Sequence, residues 1–480
     1  MSDTNYLTNY RSKYEGAFLM AAIGDALGWP TEFGHRRSVK TFCSWKKVIG
    51  GKYWGFKQEI KEGAYSDDTQ LLLSTARSIR LNGKFDVESF AYEELPLWLA
   101  YEQGGGAATK QSAHRFAAGA NWFDNFTSDR SRNKFRYVEA GGNGAMMRIM
   151  PIVLASWQDV QRMIIDVFQN TICTHGHIRA ILGSIGYAYF LRSVIQHQRL
   201  DLATISEVLN NLQEQSFEFL DLDHRLRSWK EKWQRINNQA FSHAWLNAVR
   251  ECKSLFGNIK ILNQGDFEFY KINGALERAT RGAGTVSLAT AIGMAYKYQS
   301  DPAQGLLKIV NLLGSDTDTL ANLAGAIWGL LYGLNAIPDQ FKSNLQDAKY
   351  ISKISLSLFE TVYTKSNNVV TEEDFNRRDS LLRSLAWEIG LHDMFWDALS
   401  QGSRVAHPIL GSGTIEQKSR PSVLDQKGYS AQIVKINFDV GQSCWFRSLV
   451  KDDGTIVASL GKEMRQALKK IENQQNSLIL

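Results

Sequence analysis

The chain has 480 residues, of which 44% are hydrophobic, so it can form one large domain and a small one. Its net charge of +6 is small for this length, and its four cysteines lie far apart, without the spacing of zinc ligands or of a disulfide framework. We judge its longest apolar run too short to span a bilayer, and we expect a cytoplasmic protein that does not enter a membrane.

The first predicted helix, Tyr14–Gly28, is apolar and rich in small residues. Asp25 interrupts it, and an acid inside such a helix usually has a specific partner. Pro30 is expected to end the helix, because proline disfavours helical geometry in the residue before it. Glu32 follows in the expected loop, where the simplest interpretation is a solvated carboxylate.

A hydroxyl and two acids begin the next predicted helix, in the stretch Ser66-Asp67-Asp68-Thr69. Ser66 is a suitable N-cap, and Asp67 and Asp68 would lie in the first turn. Helix capping alone could explain one such site.

Two glycine-rich segments follow. Gly104–Gly106 is a weak phosphate-binding signal, because the Lys-Ser/Thr ending of a P-loop is absent. In Gly142-Asn143-Gly144 the backbone could approach a ligand closely, and the amides of a following helix could bind phosphate. A tight turn built by glycine and asparagine is the alternative.

His175 lies in a short polar stretch, Thr174–His177, between apolar segments. Metal ligation is disfavoured because no third ligand has suitable spacing, which leaves contact with a ligand or a satisfied core histidine. In the region 197–280, Trp229 and Trp233 share one helix face and are flanked by basic residues. A solvated basic helix that packs its tryptophans is favoured there over a nucleic-acid site.

A second pair of acids, in Asp316-Thr317-Asp318-Thr319, lies between two predicted buried helices, Gly305–Leu313 and Leu320–Leu334. A helix dipole stabilises an anion by only about 0.3–1 kcal/mol, which does not offset the burial of two carboxylates. If both acidic helix starts converge, four aspartates repel one another, and two divalent cations would compensate. Carboxylate and hydroxyl oxygens favour Mg or Mn.

The character of the chain changes after Leu399. Gln401–Ser403 is a predicted linker, and three predicted strands, Val405–Glu416, Ala431–Val440 and Ser443–Val450, suggest a small antiparallel β-barrel. Lys462–Ile471 is expected to close it as a short helix. Residues 401–480 hold eleven Lys/Arg and seven Asp/Glu, a net charge of +4. We expect a separable docking module, whose partner the sequence does not identify.

Together these motifs resemble the ADP-ribosylglycohydrolases, a family that includes the enzyme that reactivates dinitrogenase reductase. The resemblance covers about residues 13–340 and rests on five motifs in the family's order: Gly24-Asp25-Ala26-Leu27-Gly28, Ser66-Asp67-Asp68-Thr69, Gly142-Asn143-Gly144, Thr174-His175 and Asp316-x-Asp318-Thr319. One departure from the family's pattern is Ala145-Met146-Met147, where a third glycine is common.

The resemblance implies a mainly α fold, with an all-α catalytic domain over residues 1–399 that includes an atypical region at 197–280, followed by an SH3-like β-barrel over 401–480. It implies two Mg or Mn ions with these metal ligands: Ser66, Asp67, Asp68, Asp316, Asp318 and Thr319. Glu32, Asp67 and Asp316 would be catalytic, and Gly142, Asn143, Gly144 and His175 would hold ADP-ribose.

The expected function is therefore a metal-dependent hydrolase that cleaves the glycosidic bond between ADP-ribose and a protein or nucleic acid. One alternative is a non-catalytic ADP-ribose-binding or crystallin-like protein, against which the intact acidic motifs argue. A magnesium diphosphate enzyme of the terpenoid synthase type is disfavoured, because such enzymes spread their acids along a helix. The C-terminal segment resembles the SH3- or Tudor-like barrel of some DNA helicases.

Overall fold

A computed structural model describes the protein at residues 3–32, 34, 36–49, 56–126, 137–363, 399–407, 409–421, 423, 428–451 and 456–458. Within these residues the chain is mainly helical, as predicted, and one antiparallel sheet lies in its C-terminal part. The prediction that residues 1–399 are all-α is wrong, because their N-terminal part contains a β-hairpin.

The helices are, in chain order, α1 (Asp3–Glu32), α2 (Asp67–Arg77), α3 (Val87–Ser89), α4 (Leu95–Tyr101), α5 (Ala107–Ala117), α6 (Met150–Ser156), α7 (Val160–Ile172), α8 (Ile178–His197), α9 (Leu202–Glu214), α10 (Phe219–Leu222), α11 (His224–Asn237), α12 (Phe241–Gly257), α13 (Asp266–Ile272), α14 (Gly284–Lys297), α15 (Pro302–Val310), α16 (Thr317–Tyr332) and α17 (Ala348–Tyr363). A π-helical turn, Phe90–Glu94, joins α3 to α4. Turns of 3-10 helix lie at Tyr137–Glu139, Met146–Arg148, Asn258–Asn263, Gly333–Ala336 and Asp339–Phe341.

Helices α1 and α16 run antiparallel in direct backbone contact. A Cβ atom added at Gly16 would meet Gly333, and one added at Gly28 would meet Asp318, so the end of α1 lies beside the start of α16. At Gly24 an added Cβ would lie 2.2 Å from the carbonyl oxygen of Ala321. The small residues of α1 therefore place its C-terminal end, which carries Glu32, next to the acidic start of α16.

Asp25 fixes the start of α2 against the same helix. Its Oδ1 accepts a hydrogen bond from Ser66 N at 2.9 Å, and its Oδ2 accepts from Thr69 N at 3.0 Å and from Thr69 Oγ1 at 2.6 Å. Asp25 is fully buried. The partner expected for this acid is thus the N-terminus of α2, whose first N–H groups need acceptors.

The prediction that Pro30 ends the first helix is wrong, since α1 continues to Glu32. Proline removes one backbone donor, but its fixed φ is compatible with helical geometry and the helix ends only two residues later. The Thr31 hydroxyl oxygen also lies 2.7 Å from the Gly28 carbonyl oxygen and so satisfies part of this last turn. Glu32 is consequently the last residue of a packed helix and not a loop acid.

The region 197–280 packs behind the turn that carries His175. Trp229 and Trp233 are buried on α11, where Trp233 Nε1 donates to Gly176 O at 2.6 Å and Trp229 Nε1 donates to Tyr137 Oη at 2.8 Å. Basic side chains on the outer face of α11 form ion pairs, among them Lys230–Asp221 and Lys232–Asp124. Core packing is therefore the role of the tryptophans.

The strands are β1 (Trp45–Ile49) and β2 (Phe56–Ile60), which form the hairpin, and β3 (Arg404–His407), β4 (Gly411–Ser419), β5 (Tyr429–Phe438), β6 (Ser443–Lys451) and β7 (Ile456–Ala458), which form an antiparallel meander in chain order. The predicted strand Val405–Glu416 is in fact two strands, because Gly411, at φ +71°, begins β4 after a turn. Phe446 is buried and Trp445 is partly exposed, as adjacent strand residues should be.

The described part of this sheet is open, and no pairing of β3 with β7 closes it there into the predicted barrel. The predicted helix Lys462–Ile471 lies outside the described residues. The division of the chain into 1–399 and 401–480 stays a prediction.

Helix α8 is long and apolar enough to cross a membrane, which corrects our expectation that no apolar run has sufficient length. Of its most apolar window, 83% is buried inside the protein. Such burial is typical of the central helix of a packed core.

The close contact between α1 and α16 predicts that Gly24→Ala destabilises the protein by about 1–3 kcal/mol or more, because the new methyl group overlaps the Ala321 carbonyl. Thermal or urea unfolding measures this loss. The matched control is Gly257→Ala at the end of α12, where an added Cβ meets nothing within 4 Å and φ is −58°. Equal stability of the two variants would contradict the close packing.

Candidate functional site

Three chain segments bring acidic side chains to one place: the end of α1, the start of α2 and the start of α16. Glu32, Asp316 and Asp318 each present a carboxylate oxygen, and these oxygens all lie within 4.8 Å of one another. Thr319 Oγ1 donates to Asp68 Oδ1 at 3.3 Å, which links the starts of α2 and α16. The two acidic helix starts therefore converge.

Burial makes the ionised forms of these carboxylates unfavourable. Asp67, Asp68 and Asp318 are 8%, 2% and 4% exposed. Burial raises the pKa of Asp67 to about 7, with the Glu102 charge as the next cause. Burial first, and then neighbouring carboxylates, also raise the pKa values of Asp68, Asp318 and Glu32 well above their usual range.

The residues present fit a divalent cation site. Asp68 Oδ2 is buried without a hydrogen-bond donor among the described residues, and an unpaired carboxylate oxygen is costly to bury. The surrounding donor set is carboxylate and hydroxyl oxygen, which suits hard cations such as Mg²⁺ or Mn²⁺. Ser66 is fully buried at the N-cap of α2, and its Oγ accepts from Asp68 N at 3.2 Å.

The glycine-rich loop is joined to the acidic site by Asn143. Its Nδ2 donates to Asp316 Oδ2 at 2.8 Å and to Ser287 Oγ at 2.9 Å, and its backbone N donates to Gly282 O at 2.8 Å. The loop leads into a 3-10 turn before α6 and not directly into an α-helix, so its predicted phosphate-binding helix start is absent from this part of the described chain.

His175 lies against this loop with a defined orientation. A Cβ atom added at Gly144 would lie 3.1 Å from His175 Cε1 and 3.2 Å from its Nε2. Arg148 Nη2 donates to Thr174 Oγ1 at 2.8 Å, and that hydroxyl lies 2.7 Å from His175 Nδ1. The Thr174 hydroxyl therefore holds the Nδ1 edge of the ring, and the Cε1–Nε2 edge lies on the side of the loop.

The charge of His175 follows from its surroundings. Burial, and then the Arg148 charge, lower its pKa to about 3, so the ring is neutral at physiological pH. His177 has a different role, since it caps α8 through a hydrogen bond from Arg179 N to its Nδ1 at 3.1 Å.

Two charged residues at this site, Lys47 and Glu102, were not predicted from the sequence. Lys47, on the hairpin strand β1, lies 4.7 Å from the Trp29 ring centre, and its charge acts on Glu32 and Asp67. Glu102, after α4, is the charged neighbour that most raises the pKa of Asp67. Neither residue lies in an acidic motif or in an apolar helix, so one sequence offers no signal for either.

The sequence profile of the family described as ADP-ribosylglycohydrolase matches residues 7–368, more than half of the chain. The chain belongs to the ADP-ribosylglycohydrolase family. Glu32, the paired aspartates, Asn143 and His175 all lie within the matched residues.

Curated relatives agree with this membership. The chain is 25% identical to the uncharacterized protein YegU of Escherichia coli, over 73% of this chain and 96% of that protein. It is 24% identical to the ADP-ribosylarginine hydrolase Tri1 of Serratia proteamaculans, over 76% and 81% of the two chains, and 23% identical to the ADP-ribosylhydrolase ARH3 of Xenopus tropicalis, over 70% and 92%. The protein is thus an enzyme of the ADP-ribosylglycohydrolase family.

The raised pKa values predict how the metal-free protein responds to pH. A carboxyl group with a higher pKa in the folded state stabilises the fold while protonated, and this stabilisation is lost as pH rises through the folded pKa. For Asp67 the loss is complete only above about 7. The melting temperature in chelator should therefore fall between about pH 5 and pH 8.

Asp67→Asn should flatten this fall, whereas Asp339→Asn, at an exposed surface position, should leave it unchanged. Added Mn²⁺ should raise the melting temperature most at the upper end of the range, because protons and cations compete for the same carboxylates. A pH slope that is identical in Asp67→Asn and the wild type would contradict the assignment.

Proposed function

We propose that the protein removes ADP-ribose from a modified macromolecule by metal-dependent hydrolysis of the glycosidic bond. The observation that carries this proposal is the convergence of Glu32, Asp316 and Asp318 with the acidic start of α2, where Asp67, Asp68 and Asp318 are buried. The names of curated relatives, which describe ADP-ribosyl hydrolases, support the substrate class.

Two Mg²⁺ or Mn²⁺ ions are the proposed cofactors. Their proposed ligands are the side-chain oxygens at the starts of α2 and α16: Ser66, Asp67, Asp68, Asp316, Asp318 and Thr319. When bound, such ions would hold the vicinal hydroxyls of a ribose and orient its anomeric carbon.

Glu32 is the proposed general acid or base. It borders the acidic site, and its pKa is raised by burial and by the Asp316 charge, so it suits proton exchange with water or with the leaving group. Asp67 and Asp316 complete the catalytic group around it. Cleavage of the glycosidic bond proceeds through an oxocarbenium-like transition state, and nearby carboxylates stabilise its positive charge.

The glycine loop and His175 are the proposed ADP-ribose site. Gly142, Asn143 and Gly144 form the wall next to Asp316, and the neutral His175 turns its Cε1–Nε2 edge toward Gly144. A neutral imidazole can share a hydrogen bond with a polar ligand through Nε2 over the whole physiological pH range.

A modified protein is the favoured substrate. The Serratia relative is named an ADP-ribosylarginine hydrolase, which supports a protein substrate over nucleic acid. The cytoplasmic location and a docking role for 401–480 stay predictions.

The metal proposal predicts that chelator abolishes hydrolysis of ADP-ribosyl substrates and that Mn²⁺ or Mg²⁺ restores it. Asp316→Ala should lose about 100-fold or more in turnover, because several kcal/mol of charge stabilisation disappear with the metal. Asp339→Ala, which removes an exposed carboxylate 93% accessible to solvent, is the matched control. Full activity in chelator, with metal absent by elemental analysis, would overturn the proposal.

The pocket proposal predicts that His175→Ala weakens ADP-ribose binding about 10-fold, the value of one lost hydrogen bond in a buried site. Isothermal titration calorimetry measures the affinity, and metal content should stay at the wild-type level. His243→Ala, on the exposed face of α12, is the control. Equal affinity of the wild type and His175→Ala would show that the ligand lies elsewhere.

A further inference from the structure

The C-terminal sheet shares a hydrophobic core with the helical body. Phe446 on β6 packs against Tyr101 at the end of α4, with ring centres 5.8 Å apart. Buried apolar residues of the sheet belong to the same continuous cluster as the helices: Leu410, Ile415, Val434, Ile436, Phe438, Cys444 and Phe446. The sheet is therefore packed onto the helices and not merely tethered to them.

Polar contacts anchor the sheet near both ends of α2. Asp347 Oδ2 accepts from Ser443 N on β6 at 2.9 Å and from Tyr65 Oη at 2.7 Å, and Tyr65 directly precedes the Ser66 motif. Arg77, the last residue of α2, donates through Nη1 to Gln442 Oε1 at 2.9 Å. The helix that carries Asp67 and Asp68 is thus braced by the sheet.

Arg447 extends from β6 toward the acidic site. Its Nε donates to Gln58 Oε1 at 2.9 Å, and its Nη1 donates to Glu102 O at 2.8 Å. Gln58 on β2 pairs directly with Lys47 on β1. In the turn after Glu102, a Cβ atom added at Gly104 would lie 3.3 Å from Lys47 Nζ. Arg447 therefore binds both the β1–β2 hairpin and the turn after Glu102. The Lys47 ammonium lies between these two elements.

The Lys47 ammonium faces the acidic site. It lies 4.7 Å from the Trp29 ring centre and 6.0 Å from the Trp45 ring centre. The carboxylates that act on its charge are Glu32, Asp67, Glu102 and Asp318. Three of these four residues belong to the proposed catalytic and metal-binding group.

We propose that Arg447 is a positioning residue that holds Lys47 as a counter-charge at the acidic site, so that the C-terminal sheet sets the affinity of this site for divalent cations. The inference rests on the proposed metal site. A fixed ammonium beside the carboxylates repels an incoming divalent cation, and its loss makes cation binding tighter. General damage to the site has the opposite effect, because it disperses the ligands.

The test is the Mn²⁺ affinity of the full-length protein, measured by calorimetry. Lys47→Met should bind Mn²⁺ at least about 10-fold more tightly than the wild type, and Arg447→Met should shift the affinity in the same direction. The double variant should match Lys47→Met alone, because Arg447 acts through Lys47. Arg404→Met, which removes an exposed arginine of the same sheet that pairs with Asp439, should bind as the wild type does.

Hydrogen exchange provides a second readout that needs neither metal nor catalysis. Arg447→Met should speed amide exchange in β1, β2 and residues 102–106 while the start of α16 keeps its protection. Weaker Mn²⁺ binding in Arg447→Met, or unchanged exchange in these segments, would overturn the inference. A wild-type protein that binds no Mn²⁺ would instead refute the proposed function, and hydrogen exchange alone would then decide whether Arg447 holds the hairpin.

Discussion

The contact between α1 and α16 is the constraint on which the site depends. Gly24 and Gly28 let the two backbones touch, and this contact places the end of α1 beside the start of α16. Asp25 then binds the first N–H groups of α2 and brings a second acidic helix start to the same place. A bulkier residue at Gly24 or Gly28 would move the carboxylates apart, and the site would then lose the geometry that its chemistry needs.

Burying several carboxylates together opposes folding, and contacts within the site reduce this unfavourable free energy. Asn143 and Thr319 donate hydrogen bonds to Asp316 and Asp68, and Lys47 contributes one positive charge. These partners do not satisfy Asp68 Oδ2. A bound cation would neutralise the remaining negative charge. The buried carboxylates that destabilise the metal-free fold are therefore also the groups that would bind the metal.

Local patterns predicted much of this arrangement. Two hydroxyl-and-acid stretches at helix starts indicated the acidic site, and the apolar spacing of Trp229 and Trp233 indicated a packed helix. Pro30 was misjudged because the fixed φ of proline is compatible with helical geometry, and α1 continues for two residues beyond it despite the lost backbone donor. Lys47 and Arg447 could not be predicted, because their roles depend on strand pairing and on the packing of a C-terminal sheet against residues more than 300 positions earlier.

Anomalous diffraction from crystals grown with Mn²⁺ and ADP-ribose would test the central claim most directly, namely that the acidic starts of α2 and α16 jointly bind divalent cations that hold the ribose. We expect two anomalous peaks between Asp67, Asp68, Asp316 and Asp318, with the ribose next to them and Glu32 within reach of its anomeric carbon. Strong ADP-ribose density without manganese between these four aspartates, or manganese bound only elsewhere, would contradict it.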